Sequence, residues 1–118
     1  MNKLIEQIFN NFRVNGVLIP VKFLVYQGDS TTYITYQSTD IDETLYGDDD
    51  LQNYVEYYDF DIYSKGNYFP IVDAVKELLQ ANGFRWQPTR SSGDLYDTDT
   101  KMYHKTLCFS IERSENNG

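Results

Sequence analysis

The stretch Asn53-Tyr54-Val55-Glu56-Tyr57-Tyr58-Asp59-Phe60-Asp61-Ile62-Tyr63 decides the fold. Its residues sort by twos. Tyr54, Glu56, Tyr58, Phe60 and Ile62 fall on one side, and Val55, Tyr57, Asp59, Asp61 and Tyr63 on the other. A period of two in a run rich in Tyr, Ile and Phe is the signature of a β-strand. Both sides carry aromatics, so the strand is expected to be covered on both faces or to face a neighbouring subunit.

A second strand of the same kind lies near the end of the chain. Tyr103, Lys105, Leu107, Phe109 and Ile111 alternate with His104, Thr106, Cys108, Ser110 and Glu112. Between the two lies a helix signal. Ser64-Lys65-Gly66-Asn67 breaks the first strand, and Pro70 suits a helix's first turn, where its missing N–H is not needed. Ile71, Val72, Val75, Leu78 and Leu79 then form one apolar stripe, with Asp73 expected in the first turn and Asn82-Gly83 as the stop. A short strand, Phe84 to Gln87, follows. Thr89 to Thr100 reads as a polar loop.

On the N-terminal side, Leu4, Ile5, Ile8, Phe9 and Phe12 recur at helical spacing and predict a short helix ended by Asn15-Gly16. Val21, Phe23 and Val25 alternate with Lys22, Leu24 and Tyr26. Gly28-Asp29-Ser30 is a turn signal, and Thr32 to Gln37 is a strand, so a hairpin over 19–37 is expected. Ser38 to Asp50 reads as an exposed loop. The resulting order, α-β-β-β-α-β-β, indicates one α+β domain over 1–113. It has two helices, a mostly antiparallel sheet of about five strands, and a frayed tail over 114–118.

Charge constrains partners. The 118 residues carry 18 acids and 10 bases, for a net charge of -8. No Lys or Arg lies between Lys22 and Lys65, and that interval holds ten acids, from Asp29 to Asp61. The acidity argues against a non-specific nucleic-acid binder and a polybasic membrane-surface protein. Its segregation suggests directional contacts. The single Cys108 makes no internal disulfide. Neither a signal peptide nor an apolar run of about 20 residues is read, so a soluble intracellular protein, or an assembly made inside a cell, is the default.

Chemistry is sparse. Cys108 and His104 share a strand face but lie about 13 Å apart along the backbone, too far for a nucleophile and its base. One His and one Cys argue against a transition-metal site. Asp48-Asp49-Asp50 and Asp94, Asp97 and Asp99 offer hard oxygen ligands but do not match an EF-hand, and solvated loop charge is the better reading. No phosphate-cradling glycine motif occurs. No catalytic residue, metal ligand or cofactor is therefore assigned. Lys65, Lys76, Arg85, Arg90, Lys101, Lys105 and Arg113 cluster around the second helix and last strand, a candidate counter-patch to the acids.

Several segments resemble the tail-terminator and tail-completion proteins of long-tailed bacteriophages. They are Leu18-Ile19-Pro20-Val21, Thr32-Tyr33-Ile34-Thr35-Tyr36, Asp49-Asp50 before the Tyr-rich strand, Asp61-Ile62-Tyr63-Ser64-Lys65-Gly66-Asn67-Tyr68, Asn82-Gly83-Phe84, and Tyr96 through Lys105. The resemblance spans residues 15–113. It implies a virion structural protein whose typically hexameric ring caps the tail tube and joins it to the head connector. The implied partners are the chain itself, the tail tube protein and a head connector or stopper protein. DNA would pass through without specific binding, and no membrane is involved. The implied location is the head–tail joint, after assembly in the host cytoplasm. No catalytic residue carries over. Asp48, Asp49, Asp50, Tyr57, Asp59, Asp61, Lys65, Lys101 and Lys105 are the expected interface. The reading from another class is an acidic inhibitor that mimics DNA.

Overall fold

The computed structural model describes residues 2–43 and 53–114. Two helices lie over one side of a sheet. The elements are α1 (Asn2–Ile8), β1 (Arg13–Val14), β2 (Val17–Leu18), β3 (Val21–Phe23), β4 (Thr32–Glu43), β5 (Asn53–Ser64), α2 (Phe69–Ala81), β6 (Arg85–Trp86), β7 (Leu95–Asp97) and β8 (Met102–Ser114), with a 3-10 turn at Pro88–Arg90. The α+β class and the mostly antiparallel sheet are as expected. The sheet is fuller than about five strands: among the described residues six take part, in the order β3-β4-β5-β8-β6, with β7 also on β8.

The long strands β4, β5 and β8 form its middle. Tyr36, Phe60 and Leu107 lie side by side, as do Ile34, Ile62 and Lys105. The apolar residues of this side meet Ile5, Phe9 and Phe12 from the α1 region and Ile71, Val72, Val75 and Leu79 from α2 in one core. Phe60 is the hub, with ring centroids 5.8 Å from Phe9 and Tyr36, 6.0 Å from Phe109 and 6.5 Å from Phe84. The stripe of α2 packs as its spacing predicts. The helix begins at Phe69, which puts Asp73 past the first turn. Asn82 caps its end, and Gly83 supplies the left-handed residue at φ 91°.

Four expectations change. The first helix ends at Ile8, and Asn15-Gly16 is a hairpin turn between β1 and β2 rather than a helix stop. Both turn residues have positive φ, 53° and 81°, as a two-residue primed turn requires. The second change is larger: β3 and β4 run parallel, with Val21 opposite Ile34 and Phe23 opposite Tyr36. No hairpin spans 19–37. A three-residue strand needs only about 10 Å of return path, which the eight residues between β3 and β4 span. Tyr26 organises that return. Its hydroxyl accepts the Ser30 N–H at 2.8 Å, and its ring stacks on Tyr33 at 4.5 Å.

Third, Ser38 to Glu43, expected to begin a loop, are strand: β4 continues through Glu43 after a bulge between Ser38 and Asp40. The rest of that expected loop, from 44 to 50, lies outside the described residues, as does the tail from 115. Fourth, the polar loop 89–100 contains structure. Gln87 N donates to Cys108 O at 2.8 Å and Ser92 N to Thr106 O at 2.9 Å, and β7 pairs with Met102 to His104. Residues 85–97 thus follow the outer edge of β8 as an interrupted strand.

Candidate functional site

The face of the sheet turned away from the helices gathers the chain's polar chemistry. Strand parity places it there: Tyr57, Asp59, Asp61 and Tyr63 of β5 sit opposite Ser110, Cys108, Thr106 and His104 of β8. On the other flank, β4 supplies Tyr33, Thr35, Gln37, Asp40 and Asp42.

Its residues form rows across the strands. The first is aromatic. Tyr26, Tyr33, Tyr63 and His104 stack in sequence, with centroids 4.5, 5.0 and 4.3 Å apart. The second row centres on Asp61. Its Oδ1 lies 3.2 Å from His104 Nε2 and accepts the Thr106 hydroxyl. In the third row, Asp59 meets Cys108. Burial, then the charge of Asp61, raises the Asp59 carboxyl above its ordinary value. Burial, then Asp59, pushes the Cys108 thiol up to about 11. A thiol held protonated in this way is a poor nucleophile. In the fourth row, the Arg90 guanidinium lies 3.8 Å above the Tyr57 ring and 3.5 Å from Asp40, with Asp42 at 4.0 Å.

The 3-10 turn aims Arg90 over this face. Ser91 anchors the turn: its Oγ accepts from Trp86 Nε1 at 3.2 Å and Cys108 N at 2.9 Å, and donates to Gln87 O. The same segment holds Ser110, whose Oγ accepts from Gln87 Nε2 at 2.8 Å, and both Cys108 and Ser110 are buried. The face is acidic even so. Asp40, Asp42, Asp59, Asp61 and Glu112 share it with Arg90.

The structure divides the residues expected at the interface. It brings Tyr57, Asp59 and Asp61 together on this face. Lys105 lies on the opposite face and is paired with Asp94 at 3.3 Å. Asp94 also accepts the Tyr68 hydroxyl, and that bond with the Lys105 bond holds its carboxyl below the ordinary value. Lys65 and Lys101 are exposed at the sheet end where Ser64 pairs with Tyr103. Asp48, Asp49 and Asp50 lie outside the described residues.

The interface expected from the sequence left out Asp40 and Asp42, which counted only as part of the acidic interval, and Arg90, which counted only as one base of the counter-patch. Thr39 and Ile41 beside the acids are a strand signal, but the acids outweigh it. Nothing local marks Arg90, whose position depends on the turn at 88–90. Among the described residues, no three His, Cys, Asp or Glu side chains converge to hold a metal ion. No helix among them is long and apolar enough to cross a membrane. Compared with models of known families and with curated proteins, the sequence matches none.

Proposed function

We propose that this chain is a virion structural protein of the phage head–tail joint. It forms a ring, six-fold as the resemblance implies, that terminates the tail tube and meets the head connector or stopper protein. The acidic face away from the helices is the observation that carries this reading. Like charge repels phosphate, so a channel lined by Asp40, Asp42, Asp59, Asp61 and Glu112 lets DNA pass without holding it. The aromatic row beside them stiffens the sheet, which suits a structural element.

The DNA-mimic reading is weaker on the same face. A mimic needs its carboxylates free for a partner, whereas Asp61 is engaged by His104 and Thr106, and Asp40 by Arg90.

Immunogold labelling of purified virions tests the proposal. Label at the head–tail joint is expected; label elsewhere, or a chain absent from virions, overturns it. Asp40→Lys with Asp42→Lys should leave particles assembled but slow DNA exit, read as delayed genome release.

A further inference from the structure

The sheet ends in two open edges, and each leaves apolar side chains in water. At one edge Phe23 is 45% exposed, and Leu24 and Val25 beside it are more so. A groove of about 500 Å³ runs between α1 and this edge, walled by Phe9, Phe12, Phe23, Tyr26 and Tyr36. Tyr36 is 1% exposed, and its hydroxyl has no hydrogen-bond partner among the described residues. An unpaired buried hydroxyl is unfavourable for the isolated chain. Burial, then the charge of nearby Glu6, already raises this phenol. Glu6 also lines the groove.

At the opposite edge β7 exposes Leu95 and Tyr96, the latter by 51%. The Tyr96 ring leans on Tyr103 at 4.9 Å, and Tyr103 on Tyr68 at 5.8 Å, so the patch is backed by packed aromatics. Both edges carry mixed charge. Lys22 lines the groove with Glu6, and Lys3 lines the hollow next to it across Phe23 with Glu56, whose carboxylate is already paired with Arg113 at 3.4 Å. Asp97 and Asp99 follow Tyr96, with Lys101 in the same turn, so the acids outnumber the base there. The backbone N–H of Asp99 holds the Asp97 carboxyl below its ordinary value, which keeps it ionised.

We infer that the β7–β8 hairpin of one copy of this chain packs into the α1–β3 groove of the next. Leu95 and Tyr96 meet Phe23 and the aromatic wall, while Asp97 and Asp99 face Lys22 and Lys3. This contact deepens the ring reading and rests on it. The two patches lie on opposite edges of one sheet and are unlike, so neither is self-complementary. The contact is heterologous and closes into a ring or continues as a filament. Exposed Tyr with flanking opposite charges suits a protein partner.

Mixing variants tests the contact. Phe23→Asp spoils the groove edge and Tyr96→Asp the hairpin edge; Val25→Asp is a second groove variant, at a more exposed site. Circular dichroism and melting confirm that each folds. Zero-length carboxylate–amine cross-linking of the unaltered chain, at its highest soluble concentration, should give a ladder of multimers. Each variant alone should give monomer. An equimolar mixture of one groove variant and Tyr96→Asp should stop at dimer, because only one intact groove and one intact hairpin remain between them. No ladder from the unaltered chain, ladders from the variants, or a mixture that runs beyond dimer would each overturn the contact. The functional reading fails separately. A chain absent from the joint but obeying the mixing rule overturns that reading alone, and a chain at the joint whose association ignores Phe23, Val25 and Tyr96 overturns only this contact.

Discussion

The two faces of the sheet are built from the same three strands, yet they are held by different forces. Under the helices, Phe60, Ile62, Leu107 and Phe109 are fully buried, and removal of apolar area from water stabilises them. On the other face, alternate residues of those strands form rows of stacked rings and engaged carboxylates. One residue along a strand separates the two regimes. The contrast predicts that the helix-covered face is the more sensitive to loss of volume and the acidic face the more sensitive to loss of polar partners.

Substitutions should separate the two. Phe60→Ala strikes the helix-covered face at its hub and should cost about 3–5 kcal/mol, read from urea unfolding. A cost below that of any acidic-face change would break the contrast. Asp61→Ala leaves Thr106 and His104 without their shared acceptor and should cost about 1–3 kcal/mol. Asp61→Asn keeps an acceptor oxygen at the same place and should recover part of that loss. Equal costs for the two variants would show that the Thr106 and His104 contacts are not what Asp61 supplies.

A smaller effect has a sign that differs by place. The Asp59 carboxyl is raised, so it binds its proton more tightly folded than unfolded. Its contribution favours the fold below the ordinary carboxylate value and is lost as pH rises through the raised one. Asp94, outside this face, is lowered. Its contribution is present above the ordinary value and is lost as pH falls through the lowered one. In urea midpoints followed from neutral pH into the carboxylate range, Asp59→Asn should remove an acid-side gain and Asp94→Asn an acid-side loss. Slopes of the same sign would sink this prediction. The smallest change is Lys76→Ala. Its ammonium lies 3.6 Å from the Trp86 ring centre, linking α2 to the sheet edge. Its loss should cost about 0.5–1 kcal/mol, measured by the same unfolding.

How much was legible depended on whether local pattern or distant packing set the answer. β5, β8 and α2 were readable because each is long and strictly periodic, and periodicity survives any tertiary arrangement. The direction of β3 was not. Gly28-Asp29-Ser30 is a valid turn signal, but a turn says nothing of whether the chain reverses once or twice, and Tyr26 folding back onto Tyr33 settles that. Asn15-Gly16 was ambiguous because the same dipeptide stops helices and closes hairpins. Among the site residues, Tyr57, Asp59 and Asp61 followed from alternation. Lys105 did not fall with them, because it lies one step out of phase and has Asp94 at hand.

The bulge at Thr39 bears on how such a surface can change. Ser38 lies opposite Tyr58 and Asp40 opposite Tyr57, so Thr39 is a spare residue between two consecutive pairs. Were Thr39 to take the place opposite Tyr57, Asp40 would fall opposite Glu56, on the helix side, and Ile41 would turn to the acidic side. Sidedness here is a matter of odd and even, and the spare residue sets it for the whole outer arm. Loss of the Thr39 codon would straighten the strand and leave every pairing in place. Loss of the Asp40 codon, one step later, would present Ile41 opposite Tyr57 or draw Thr39 in to fill the gap. Two neighbouring deletions of equal size would thus have unequal consequences, and the arm can be shortened by one residue at Ser38 or Thr39, but not beyond them, without rewriting its electrostatics.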